Sequence, residues 1–193
     1  FNRLSIIDVT KNGHQPMANE NKTTYIMFNG EIYNAFELKE ELITSDYNFK
    51  SKTDTEVILA LYEKYGLEYT LQKLNGMFAI CILDLKKNQI FLARDRFGIK
   101  PLYYIFNENF FSFSSEIKSF LAIKNFKFRL NKEHLSEYFI FKYLAPPNTL
   151  VSEVNLLPPG QYIVFENNEV KKKTYFDFQN FNDKIDSEDN ITT

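Results

Sequence analysis

Residues 23–34 read TTYIMFNGEIYN, an apolar run that breaks into a polar heptad around one glycine. The β-branched and aromatic residues of TTYIM predict a strand, and Asn29-Gly30 is the strongest short-range turn signal. Two readings stand side by side. In one, the heptad is a plain turn, with Glu31 and Asn34 solvated. In the other, Asn29 offers a side-chain amide and Gly30 a backbone N–H to one oxygen atom. The rest of the chain has to decide between them.

Upstream, RLSIIDV reads as a strand, separated from TTYIMF by the polar loop TKNGHQPMANENK. Downstream, AFELKEELI is expected to be a helix, with Asn34 as its N-cap and Glu37 completing a capping box. A second helix is expected over TDTEVILALYEKYG. There Thr53 and Glu56 make the box, Val57, Ile58, Leu61, Tyr62 and Tyr65 form the apolar face, and Gly66 ends the helix. From Leu74 the pattern changes to short apolar strands, GMFAICILD, QIFLARD, PLYYIF and FFSFSS. KKN and NEN serve as hairpin loops, which makes the neighbours antiparallel. SSEIKSFLA and NKEHLSEYFIFKYL read as helices, and GQYIVFE and EVKKKTYF as closing strands. Helices grouped early and antiparallel strands predict an α+β layered sandwich rather than a βαβ wind. From Asp177 the pattern is lost, so residues 177–193 read as a linker or the start of a further element.

At 193 residues the chain can hold one sizeable domain and a short extension. A net charge of −2 with both signs interspersed points to no nucleic acid and no anionic membrane. The run KKK at residues 171–173 reads as a solvated strand edge. One cysteine excludes an internal disulfide framework, and two histidines leave little for a transition-metal site, so no metal is expected. No run approaches the ~18 apolar residues of a membrane span. The chain begins FNRLSIIDV, without Met and inside a strand-like run, and is expected to be a fragment lacking its N-terminal segment.

There is no G-x-S-x-G elbow, glycine-rich phosphate loop, C-x-x-C or H-E-x-x-H pair. His14 and His134 read as surface histidines, and Cys81, inside FAICILD, as a buried inert thiol. What remains suits a small zwitterion. Arg3 can grip a carboxylate with its planar fork. Asp54 can accept from an ammonium group, or simply complement the dipole of its helix. Asn29 and Gly30 can supply two donors to a developing oxyanion. Taken singly, each is equally well explained as local structure.

Together, RLSIIDV, FNGEIYN, KTDTEVILALYEKYG, LNGMFAICILDL, FLARDRFGIKPLYY and FSSEIKSFL resemble, in order, the class II glutamine amidotransferases of the asparagine synthetase (glutamine-hydrolysing) type. NGEIYN and TDTEV are shared with related amidotransferases, whereas ARDRFGIKPLYY and LPPGQY favour the asparagine synthetase branch. The resemblance implies an N-terminal-nucleophile hydrolase fold, a four-layer αββα sandwich with antiparallel sheets, over residues 1–176. It implies a nucleophilic cysteine at the mature N-terminus, whose own α-amine, with a pKa of ~7.7–8.0, takes the thiol proton. This sequence has no cysteine at its start.

By the same resemblance, Arg3 binds the α-carboxylate of L-glutamine, and Leu4, Ser5, Ile6 and Ile7 wall the pocket. Asn29 and Gly30 form the oxyanion hole, and Glu31 and Asp54 hold the α-amino group. The heptad is then a turn that aims two N–H donors. The full-length protein would pass ammonia to its own C-terminal synthetase domain, which amidates aspartate with ATP and Mg²⁺. No cofactor is expected within these residues. A cytoplasmic location and a homodimer are further expectations. Two alternatives remain open: an amidotransferase domain serving another acceptor, and a non-catalytic scaffold that has lost its cysteine.

Overall fold

The computed structural model describes residues 11–44, 47–108, 110–124 and 126–178. The strand expected at RLSIIDV lies outside them. After a 3-10 turn at Lys11–Gly13 come β1 (Met17–Ala18) and β2 (Thr24–Ile32). Three helices follow, α1 (Ala35–Ile43), α2 (Asp54–Tyr65) and α3 (Leu67–Lys73). The hairpins β3 (Gly76–Asp84) with β4 (Gln89–Arg94), and β5 (Tyr103–Phe106) with β6 (Phe111–Ser114), come next. A 3-10 turn at Ile117–Ala122 leads to α4 (Leu135–Phe141), β7 (Asn155–Leu156), β8 (Gln161–Glu166) and β9 (Glu169–Thr174). The strands form two wholly antiparallel sheets, ordered β1-β2-β3-β4-β8-β9 and β6-β5-β7.

The asparagine–glycine pair is not a turn. β2 runs straight through it, with Asn29 opposite Ala79 and Gly30 opposite Phe78, and the ladder continues to Ile32 opposite Gly76. A local hairpin would need the chain to return at once, whereas the partner strand here comes from beyond three helices. Long-range pairing over nine residues of β2 outweighs a two-residue turn preference. The glycine serves close approach instead. A Cβ on Gly30 would fall onto the Met77 carbonyl oxygen and within 2.8 Å of the Phe78 Cα, both backbone atoms.

Side-chain alternation builds the layers. Ile26, Phe28, Phe78, Ile80, Ile82 and Phe91 face the helices α1–α3 and form the main core. On the other face, Ala79, Cys81, Leu92 and Ile163 meet Leu102 and Tyr104 of the second sheet. β3 therefore reads as an almost continuous apolar run because both of its faces are buried. Behind the second sheet, Ile105, Phe120, Val151 and Val154 form a third cluster. The architecture is an α+β sandwich of two antiparallel sheets. Its outer layer beyond the small sheet is a 3-10 turn at Ile117–Ala122 where the sequence suggests an α-helix. Among the described residues no helix is long and apolar enough to cross a membrane.

Several local expectations change in detail. Asn34 makes no side-chain bond to α1. It instead donates to the Lys73 carbonyl at 3.0 Å and accepts from the Asn75 N–H at 2.9 Å, tying α1 to the end of α3. At α2, Thr53 caps as expected by accepting from the Glu56 N–H at 3.3 Å. Glu56 completes no box, because its carboxylate is taken by the N–H groups of Lys50 and Ser51 at 2.8 and 2.6 Å. α2 is buried on every side from Asp54 to Tyr62, while Tyr65 is 44% exposed and leaves the expected apolar face. Gly66 ends α2 as expected and at once begins α3, whose seven residues are too few for periodicity to reveal. α4 is shorter than its sequence suggests and buries none of its residues; Lys142, in the left-handed conformation, stops it. β9, with the three lysines, is the solvated edge strand that was expected.

Candidate active site

Beyond Phe28 the odd-numbered positions of β2 emerge from the core, so Asn29 and Glu31 are exposed while Ile32 stays buried. They line a cleft of about 810 Å³ together with Gly30, Asp54 and, on the far wall, Ser115 and Lys100. Four residues singled out in the sequence, Asn29, Gly30, Glu31 and Asp54, thus share one cavity although α1 separates the strand from Asp54. Arg3, Leu4, Ser5, Ile6 and Ile7 lie outside the described residues.

The edge of β2 is what gives the cleft its donors. In an antiparallel strand alternate N–H groups point to the same side. The N–H of Phe28 donates to the Gln15 side chain at 2.6 Å, and that of Ile32 donates to Asp54 Oδ2 at 3.2 Å. Both point away from β3, so the Gly30 N–H between them does too. On the β3 side, the main chain of Phe78, opposite Gly30, is occupied with Asp95: its carbonyl accepts from the Asp95 N–H at 2.9 Å. β1 covers β2 only at Tyr25 and Ile26, so among the described residues no strand pairs with β2 on the side to which the Gly30 amide points. Beside it, Asn29 Nδ2 reaches Ser115 Oγ at 3.4 Å, a long contact that leaves the amide available to another acceptor.

Asp54 sits at the first turn of α2 and is 8% exposed. Its oxygens accept from the N–H groups of Ile32 at 3.2 Å and Thr55 at 3.0 Å. Burial pushes its pKa up, and the nearby Glu31 adds to this, while backbone N–H groups of Ile32, Thr55 and Asp54 itself pull the other way. Among the described residues no cationic side chain forms an ion pair with it. A buried carboxylate in this state favours the arrival of a cation.

Cys81 lies at the floor of the same cleft, 4% exposed, and burial pushes its thiol well up. It matches the inert thiol expected from the sequence. His14 is exposed, and His134 lies 3.3 Å from Glu137, far along the chain from the cleft residues.

Three contributors were not singled out as site residues from the sequence. Gln15, 4% exposed, accepts from Phe28 and donates to Thr55 Oγ1 at 3.2 Å. Ser115 faces Asn29 from 86 positions away. Asp95, fully buried in ARDRFGIKPLYY, collects the N–H groups of Phe97, Ile99 and Lys100, each at 3.0 Å, and of Phe78 at 3.2 Å. Arg94 beside it binds the carbonyls of Lys100 and Leu157 at 2.8 and 2.7 Å. This motif is a structural knot that shapes the rim at Lys100.

Comparison with known proteins adds independent findings. The family described as "Glutamine amidotransferase domain" matches residues 1–176. The asparagine synthetase [glutamine-hydrolyzing] 1 of Bacillus subtilis is 44% identical over 177 residues, covering 91% of this chain and 28% of that protein. The putative asparagine synthetase [glutamine-hydrolyzing] 2 of Methanocaldococcus jannaschii is 39% identical over 197 residues, covering 93% of this chain and 38% of that protein. The chain thus spans well under half the length of either relative. Among solved structures, the glutamine phosphoribosylpyrophosphate amidotransferase of B. subtilis, complexed with ADP and GMP, superimposes with a TM-score of 0.63 at 19% identity. That alignment covers 84% of this chain and 32% of the other, and at this identity it speaks for the fold alone.

Proposed function

From the premise that this chain belongs to the glutamine amidotransferase domain family, of the asparagine synthetase type, we propose that its cleft hydrolyses L-glutamine to glutamate and ammonia. The observation that carries this reading is the β2 edge. The Gly30 N–H lies between two anchored amides, with the Asn29 side chain beside it and the buried Asp54 carboxylate at one end.

The chemistry follows from these positions. A cysteine thiolate, supplied from outside these 193 residues, attacks the side-chain carbonyl carbon of glutamine. The carbonyl oxygen becomes an oxyanion, held by Asn29 Nδ2 and the Gly30 N–H. Collapse breaks the C–N bond, and ammonia leaves carrying the proton that the thiol gave up to its base. Water then cleaves the thioester and releases glutamate. Asp54 and Glu31 receive the substrate ammonium, Arg3 the α-carboxylate, and Leu4, Ser5, Ile6 and Ile7 wall the pocket. Raised in pKa by burial and without a cationic partner among the described residues, Asp54 gains most from that ammonium. In the longer protein the ammonia goes to a synthetase domain that amidates aspartate with ATP and Mg²⁺, as the names of the relatives suggest.

Asn29→Ala in the full-length protein tests this. Loss of one oxyanion donor should lower kcat for glutamine by ~10²–10³, with a smaller change in KM. Product formed from added ammonium salt should persist, and the melting temperature should stay close to wild type. If both nitrogen sources fail together alongside a lowered melting temperature, Asn29 is only a structural residue of β2.

A further inference from the structure

Gln15 is a buried side chain that joins two separate parts of the cleft. Its Oε1 takes the N–H of Phe28, immediately before Asn29, at 2.6 Å. Its Nε2 donates to Thr55 Oγ1, immediately after Asp54, at 3.2 Å. The orientation of the amide follows from the partners, since a backbone N–H demands the oxygen and leaves the nitrogen for the hydroxyl. At 4% exposure, neither bond is replaced by bulk water if the amide is lost.

We propose that Gln15 is a positioning residue for substrate recognition, setting the distance between the donors at Asn29 and Gly30 and the carboxylate of Asp54. This rests on the glutaminase reading of the cleft. The two ends of glutamine must be met at once, the carboxamide by β2 and the α-ammonium by the first turn of α2. Among the described residues, the hydrogen bond that ties Asp54 to β2 is the one from Ile32, beyond the donors. Gln15 supplies the second tie, before them. The core already packs α2 against β2, and the two bonds flanking Gly30 fix the first turn of α2 against the strand more finely. With one, Asp54 can drift relative to the donors.

Equilibrium binding to the full-length protein, with its nucleophilic cysteine replaced by alanine so that glutamine is not consumed, separates positioning from plain stability when read by titration calorimetry. The probes are L-glutamine and glutaramate, the same molecule without its α-amino group. Gln15→Met keeps the volume and removes both bonds. Its dissociation constant for glutamine should rise about tenfold more than for glutaramate, the scale of one misaligned charge-assisted hydrogen bond. Thr55→Val, which removes only the helix-side bond, should show the same selectivity and carries the test should Gln15→Met fold poorly. Tyr162→Phe, which loses a 2.6 Å bond to Glu68 away from the cleft, should lower the melting temperature without changing the ratio of the two affinities. Equal loss for both ligands, or no loss, overturns the positioning role alone. Failure of the full-length protein with Gln15 intact to bind glutamine overturns the glutaminase reading and this inference with it.

Discussion

Asp54 holds a carboxylate that the fold keeps almost dry, and its raised pKa is a statement about stability as well as binding. The folded state binds its proton more tightly than the unfolded chain does. Its charge therefore opposes folding fully above the folded pKa, and that opposition disappears as pH falls below the unfolded value. The difference in melting temperature, wild type minus Asp54→Asn, should accordingly rise as pH is lowered from about 7 towards about 4. Thermal melts of both proteins across that range measure it. A difference that shrinks in acid would show instead that the Ile32 and Thr55 amides stabilise the anion outright. At this same scale the sequence singled out Asn29, Gly30 and Asp54 by chemistry alone. Their grouping was not legible, because only the fold of the chain brings the first turn of α2 beside β2.

At the scale of elements, the segment ARDRFGIKPLYY shows how a motif with functional residue types can be structural. The Asp95 carboxylate gathers four backbone N–H groups, three from its own loop and one from β3. Asp95→Ala leaves those donors without an acceptor in a buried setting and should destabilise the protein by more than about 3 kcal/mol. Denaturant unfolding of the two proteins checks it, and a cost under about 1 kcal/mol would mean that water replaces the carboxylate. The strands β3, β4 and β8 were evident from their apolar runs and turn residues, since such signals are local. The course of β2 through Asn29-Gly30 was not, because a turn dipeptide carries no information about partners such as Ala79 and Phe78 far along the chain. Likewise Asn34 looks like the cap of its own helix, yet spends its amide on the far end of α3.

Across the whole molecule, two sheets face each other and seal the only cysteine between them, beside Leu92 and Leu102. Its thiol is held protonated by burial, so it cannot serve as the attacking thiolate at neutral pH. The 193-residue chain incubated with glutamine should release no glutamate, and Cys81→Ala should behave identically. Turnover that disappears in Cys81→Ala would overturn the assignment of the nucleophile to a residue outside these 193. The same stacking explains why Cys81 can border the cleft without belonging to its chemistry: it forms part of the floor, while the donors stand on the side of β2 that faces away from β3.

By itself, the sequence determined the layered antiparallel class, through short apolar runs and hairpin loops, and the family, through ordered motifs such as FNGEIYN and TDTEV. It also named the groups able to meet a zwitterion. Only the tertiary structure decided that Asn29 and Gly30 lie in a strand, that the Gly30 amide points away from β3, and that Gln15 links this side of β2 to Thr55 beside Asp54. The physical reason is range. Alternation, caps and glycine preferences act over a few residues, whereas a strand edge is defined by which distant segments pair beside it. A buried amide such as Gln15 has meaning only through partners that the fold delivers.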